Sequence, residues 1–161
     1  MKNFAQLGFM VLMLSLSACQ STSDASTAAS RSSAQLHNTL WKLTGMNGKA
    51  VQNAQGQRMA SLTLSSEQSR AGIATACNSG SAAFTLNGNA IKFAATMSTK
   101  MGCEPGLMQQ EAAIFKVIAD TTRYEIKGET LELYNASNAL LASFQAENVK
   151  KLSMRPVHQT V

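Results

Sequence analysis

From residue 36 to residue 147 the large apolar residues recur at every second position in short runs, and the gaps between runs are short. Leu62 and Leu64 alternate with Ser61 and Thr63, and Leu131 and Leu133 alternate with Thr130, Glu132 and Tyr134. Successive side chains of a strand point to opposite faces, so these runs describe strands with one buried face. Parallel neighbours need a crossover of about a dozen residues, whereas antiparallel neighbours close through a hairpin. Most of the gaps here admit only the hairpin, which restricts the chain to a largely antiparallel sheet.

The strands expected on this pattern are 39–43, 60–64, 72–77, 84–86, 90–93, 122–126, 130–134 and 139–144. Asn87-Gly88 is a strong hairpin signal because both residues tolerate positive φ; a three-residue turn through Asn89 is the alternative. Turns are also expected at Lys127-Gly128 and from Asn135 to Asn138. One segment changes period. Pro105 stands where a first-turn proline belongs, and Leu107, Met108, Ala112, Phe115, Ile118 and Ala119 recur at three- and four-residue spacing to about residue 120. The spacing predicts one helix, with this stripe against the sheet and with Met101, Met108 and Phe115 in the core. The fold class is α+β.

The N-terminus has a different character. Met1-Lys2-Asn3 is followed by a largely apolar run from residue 4 to residue 16. As helix that run spans about 20 Å, short of the roughly 30 Å of bilayer hydrocarbon, which fits an export signal. It ends in Leu16-Ser17-Ala18-Cys19, which resembles the bacterial lipobox. The resemblance implies cleavage before Cys19, acylation of Cys19 and attachment to a membrane. Gln20 in place of aspartate implies, by the enterobacterial sorting pattern, the outer membrane on its periplasmic side. Residues 19–35 contain Ser, Thr and Ala with no large apolar side chain and read as a disordered tether of about 20–25 Å typical reach. The organisation expected is a signal peptide (1–18), acylated cysteine and tether (19–35), one domain (36–147) and a loose tail (148–161).

The chain has three cysteines. If Cys19 is acylated, Cys77 and Cys103 remain as a pair. In an oxidising compartment the expectation is a disulfide between them, with two buried thiols as the alternative. The histidines, His37 and His158, lie at the domain margins, and neither a CxxC nor a GxSxG motif nor a phosphate loop occurs. No enzyme, metal or cofactor is therefore expected. The net charge is +5 but the basic residues are scattered, so nucleic acid is not expected as a partner. Glu111 falls one turn before Phe115, on or beside the apolar stripe. There it would satisfy a backbone group or cap a loop; a functional buried acid is the alternative.

Several of these residues together resemble the META/HslJ-like domain of bacterial envelope proteins, over about residues 36–146. Trp41 lies in a Leu-Trp-Lys-Leu opening strand, Cys77-Asn78 with Phe84 beyond it is similar to the family's CN motif, and Thr99-Lys100-Met101-Gly102-Cys103 is similar to its T-[RK]-M-x-C signature. Met108 to Glu111, with Phe115, matches the helix that follows. The sequence departs from the pattern at Ala76, where glycine is common, and at 79–83, where small residues replace a bulkier segment and suggest a looser or recessed surface. The resemblance implies a curled, mostly antiparallel sheet, a partial barrel, with one helix packed against it. It implies links to heat-shock induction and to novobiocin resistance in one branch, and no catalytic residues. The function expected is a monomeric, non-enzymatic outer-membrane lipoprotein with an envelope-stress or protein-interaction role. The alternative is a pilotin-like carrier that holds an apolar ligand or a secretion-system partner in a cavity of the sheet.

Overall fold

The computed structural model describes residues 33–51 and 56–147. The signal peptide, Cys19, most of the tether and the tail from residue 148 lie outside the described residues. Strands β1 (Trp41–Met46), β2 (Lys49–Ala50), β3 (Ser61–Ser65), β4 (Arg70–Ala74), β5 (Ser79–Asn87), β6 (Ala90–Phe93) and β7 (Met97–Ser98) precede the helix α1 (Pro105–Asp120). Strands β8 (Arg123–Lys127), β9 (Thr130–Tyr134) and β10 (Leu140–Ala146) follow it.

All ten strands join one antiparallel sheet in the order β10-β9-β8-β6-β5-β4-β3-β1-β2, with β7 on β5. In addition β1 pairs with β10, from Trp41 opposite Ala146 to Met46 opposite Ala142. The sheet is therefore curled until its first strand meets its last, and the fold is α+β with one helix. Bulges in the register at Thr44 and Leu141 bend the two strands where they meet. The circuit is thinnest between β6 and β8. There Ala90 faces Arg123, and Ile91 N–H and Tyr124 N–H donate to Thr122 O and Asn89 O, each at 3.0 Å.

Alternation decides what is inside. Trp41 and Leu43, Leu62 and Leu64, Ala71 and Ile73, Ile91 and Phe93, and Leu131 and Leu133 are all buried in one cluster. The indole N–H of Trp41, at 0% exposure, still needs an acceptor and finds Leu36 O at 3.0 Å. Three buried helix residues, Ile114, Val117 and Ile118, join the cluster.

Antiparallel alternation also sorts the connections between two ends. The turns after β3, β5 and β8 lie at one end, together with the segment before β1 and the residue after β10. That segment is tied down there: Ala34 N–H donates to Gly128 O (2.8 Å) and Asn38 N–H to Leu64 O (2.9 Å). At the same end Glu147 pairs with Lys42 at 2.6 Å. The loops after β1, β4 and β7 leave the opposite ends of their strands, whereas the loop after β9 comes beside the hairpin after β5, where Arg123, opposite Ala90, donates to Asn138 Oδ1 at 3.3 Å.

Several expectations are corrected. Ordered structure begins before residue 36, since Ala34 packs on the core. Residues 39 and 40 lie outside β1 and residues 75–77 outside β4. The stretch 79–83 is not loose: it is the first half of β5, paired with β4 throughout and with β7 at Gly80 and Ser81. Crowding explains the glycine at its centre, because a Cβ on Gly80 would lie 2.9 Å from Thr96 Cγ2 and 3.0 Å from Phe115 Cε1. The hairpin after β5 places Gly88, at φ +59°, and Asn89 between the paired Asn87 and Ala90. The helix stripe is rotated. Met108, Ala112 and Ala119 are exposed, and Leu107 and Phe115 are half-buried. Alanine and methionine favour helix wherever they sit, so they set a misleading phase. Met101 is also exposed rather than core.

Candidate functional site

The loop between β4 and β5 carries the site. Residues 75–78 leave β4 and return into β5, so their backbone groups lack ladder partners and must be met by side chains. Asn78, 2% exposed, does most of this. Its Nδ2 donates to Met101 O at 3.1 Å and to Glu111 Oε1 at 3.1 Å. Its Oδ1 accepts from Met101 N–H at 2.9 Å and from the Thr99 hydroxyl at 2.7 Å. One amide thus pairs with both the N–H and the C=O of Met101. That requires a donor and an acceptor on one planar group, which asparagine supplies and aspartate does not.

The backbone of Asn78 is held as firmly. Its N–H points to Thr75 Oγ1 (2.8 Å) and Glu111 Oε2 (3.0 Å). The Thr75 hydroxyl lies 2.7 Å from Glu111 Oε2 and 2.9 Å from Asn78 O, and donates to one of them at a time. From the other side Arg58 donates through Nε to Thr75 O (2.8 Å) and through Nη2 to Asn78 O (2.7 Å). Cys77 is joined to Cys103 by a disulfide, with Cα atoms 6.2 Å apart. The bridge ties the loop to the segment that leads into α1. The result is a clamp that fastens a loop of the sheet to the helix and to residues 99–103.

The structure thus gathers Cys77, Asn78, Thr99, Met101, Cys103 and Glu111, spread over 35 positions of sequence, at one end of the sheet. Glu111 satisfies the Asn78 backbone N–H. Lys100 lies between two clamp residues with its own side chain exposed. Trp41 and Phe84 are not part of the clamp; both are core residues, and Phe84 stacks near His37 with ring centroids 6.1 Å apart. Sequence reasoning missed Thr75 and Arg58. Thr75, two residues before Cys77, could have been found as a side chain able to bond its own loop. Nothing in the sequence marks Arg58.

No buried side-chain polar atom among the described residues lacks a hydrogen-bond partner. Among the same residues no group of three His, Cys, Asp or Glu is placed to hold a metal.

A second polar cluster lies on the outer face of β8 and β9. Glu132 Oε2 accepts from Lys127 Nζ at 2.7 Å and from the Tyr134 hydroxyl at 2.6 Å. The Arg123 guanidinium sits 4.0 Å over the Tyr134 ring. The hydrogen bond from Lys127, then that from Tyr134, hold the Glu132 carboxyl below its usual range. A lowered carboxyl contributes stability above its unfolded pKa and loses it as pH falls through the folded value. Glu132→Gln is therefore expected to lower stability by less than about 1 kcal/mol at pH 7, since the pair is near the surface. That deficit should vanish in urea titrations taken well below pH 4.5, the ordinary value for the group.

A curled antiparallel sheet with one helix clamped to a sheet loop defines a class of small α+β domain. The META domain family model matches residues 34–148, and the chain belongs to that family. Two solved structures share the fold. A protein from Burkholderia xenovorans, solved by NMR, is 21% identical, with a TM-score of 0.57, over 70% of this chain and 84% of that one. A second protein solved by NMR is 19% identical, with a TM-score of 0.55, over 69% of this chain and 91% of that one. No curated protein matches the sequence.

Proposed function

We propose that this META-domain protein is a lipoprotein of the bacterial outer membrane, facing the periplasm, whose domain acts in the envelope by binding a protein rather than by catalysis. The observation that carries the non-catalytic reading is the saturation of the clamp. Catalysis needs groups with spare hydrogen-bonding capacity aimed at a substrate. Here the amide of Asn78 and the carboxylate of Glu111 are spent on the loop itself. The carrier alternative would need interior space, and the inward side chains from Trp41 to Phe144 form one core cluster there.

The anchor rests on Leu16-Ser17-Ala18-Cys19. Several acyl chains hold a protein on a bilayer where one holds it only marginally. The expected outcome is that the protein sediments with the outer membrane and that Cys19→Ser shifts it to the soluble periplasmic fraction. Membrane retention of the Cys19→Ser form would sink the anchor.

A further inference from the structure

The two halves of the Cys77–Cys103 bridge are unequally placed. Cys77 is 5% exposed, whereas Cys103 is half-buried and stands between the exposed Gly102 and Glu104. A Cβ added at Gly102 or Gly106 would meet nothing within 4 Å, so the chain on both sides of Cys103 borders open space. On the buried side, Cys77 Sγ accepts from Asn78 Nδ2 at 3.2 Å and lies 3.5 Å from Met101 O. A thiol that arrives from solvent meets Cys103 first, and the sulfur it would expel already has a hydrogen-bond donor beside it.

Among the described residues the bridge is also the only bond from residues 102–104 back to the sheet. The segment before it is held independently: Met101 by both atoms of the Asn78 amide, and Thr99 by Asn78 Oδ1 and Ser79 O. The helix beyond it begins weakly. The N-cap Glu104 makes no side-chain cap bond and the first turn carries no acidic residue. Gly106 disfavours helix at the same place. Leu107 is half-buried, Met108 is exposed, and the first buried residue of α1 is Ile114. Segments with so little buried contact open locally at small cost. The next tie after the bridge is Glu111, through its bonds to Asn78. Residues 102–108 thus depend on the bridge in a way that their neighbours on either side do not.

We propose that the bridge is a redox-sensitive catch on the start of α1, opened at Cys103 by a protein dithiol. Exchange goes to the sulfur that can be reached, so a thiolate of the reductant attacks Cys103 Sγ. The S–S bond breaks and its electron pair goes to Cys77 Sγ, which takes a proton from water. The new thiol keeps Asn78 Nδ2 as its donor and has Met101 O as an acceptor. The reductant's second thiolate then attacks its own sulfur in the mixed disulfide and displaces the Cys103 thiolate, which is protonated in turn. The reductant leaves as a disulfide, and two electrons have passed to the bridge. The Asn78 amide holds residues 99–101 in both states, so reduction frees residues 102–108 alone. This device does not depend on the binding reading above.

Two measurements on the whole protein test it. In the first, a small excess of the monothiol 2-mercaptoethanol is added without denaturant, and exchange is stopped within seconds by mild acid containing a maleimide. Cleavage at Arg70, Lys92, Lys100 and Lys116 puts the two sulfurs on separate peptides, 71–92 and 101–116. The mixed disulfide is expected on Cys103 in preference to Cys77, by on the order of tenfold or more. In the second, backbone amide order is measured by NMR before and after reduction with dithiothreitol. Order parameters at Gly102, Gly106, Leu107 and Met108 should fall from about 0.85 to below about 0.6, while those at Thr99, at Met101 and from Ile114 onward stay high. Comparable adducts on both cysteines, adducts only in denaturant, two free thiols before any reductant, unchanged order at residues 102–108, or loss of order through Ile118 would each overturn the proposal.

Discussion

Replacing Asn78 by alanine is expected to lower the stability of the domain by about 3 kcal/mol, because the change strands several part-buried groups at once. The Met101 N–H and C=O and the Thr99 hydroxyl all lose their partner. A domain of this size is stable by roughly 5–15 kcal/mol, so the loss should move the thermal midpoint by roughly 10–15 °C. Asn78→Asp separates the roles of the two amide atoms. The acid keeps an acceptor for Met101 N–H but cannot donate to Met101 O when ionised, and it places a second carboxylate beside Glu111. Like charges this close disfavour ionisation. The Asp variant should therefore be at least as unstable as the Ala variant at pH 7 and recover as the acid is protonated. Urea denaturation at pH 7 and pH 4 measures both. A loss below about 0.5 kcal/mol for both variants would mean that the clamp does not hold the loop.

Breaking the Cys77–Cys103 bridge should cost as much or more. The residues are 26 apart in sequence, and closing a loop of that length removes about 3–4 kcal/mol of unfolded-state entropy in the chain-entropy account. Unreduced, denatured protein is expected to show neither Cys77 nor Cys103 open to alkylation, and the urea midpoint should fall on reduction or in a Cys77→Ala, Cys103→Ala variant. Two alkylated thiols without reductant would refute the bridge. Because Cys77 and Asn78 are neighbours in one loop, the two losses should not add: once the bridge is gone, removing the amide should cost less than it does alone.

What the sequence made legible was whatever is written in local pattern. The runs around Leu62–Leu64 and Leu131–Leu133 mark their strands because the alternation has a buried side and an open side. Pro105 marks the start of α1 because a first-turn proline loses no hydrogen bond. The short strands β2 and β7 left no such trace, since two residues have no period. Gly80 to Ala83 hid the start of β5, because the segment has no large apolar side chain to mark an alternation, and at Gly80 the close approach of Thr96 and Phe115 leaves no room for one. The clamp was half legible. Motif residues named Asn78, Thr99, Met101 and Glu111, but their bonds cross from sheet to helix, and no local rule connects position 78 to position 111. Arg58 was out of reach for the same reason: it acts on backbone carbonyls of another loop.

The pairing of β1 with β10 has a consequence in time rather than in energy. Trp41 meets Leu62 on one side but Ala146 on the other, so nearly the whole domain must be available before the first strand can be zipped on both sides. Contacts this distant along the chain are slow to form, because the intervening loop must be closed before they give anything back. A chain delivered N-terminus first, from a ribosome or through a translocation pore, would therefore keep β1 half-paired until almost the last residue had emerged. The topology that stabilises the finished sheet also postpones it, leaving the chain threadable until delivery is nearly complete.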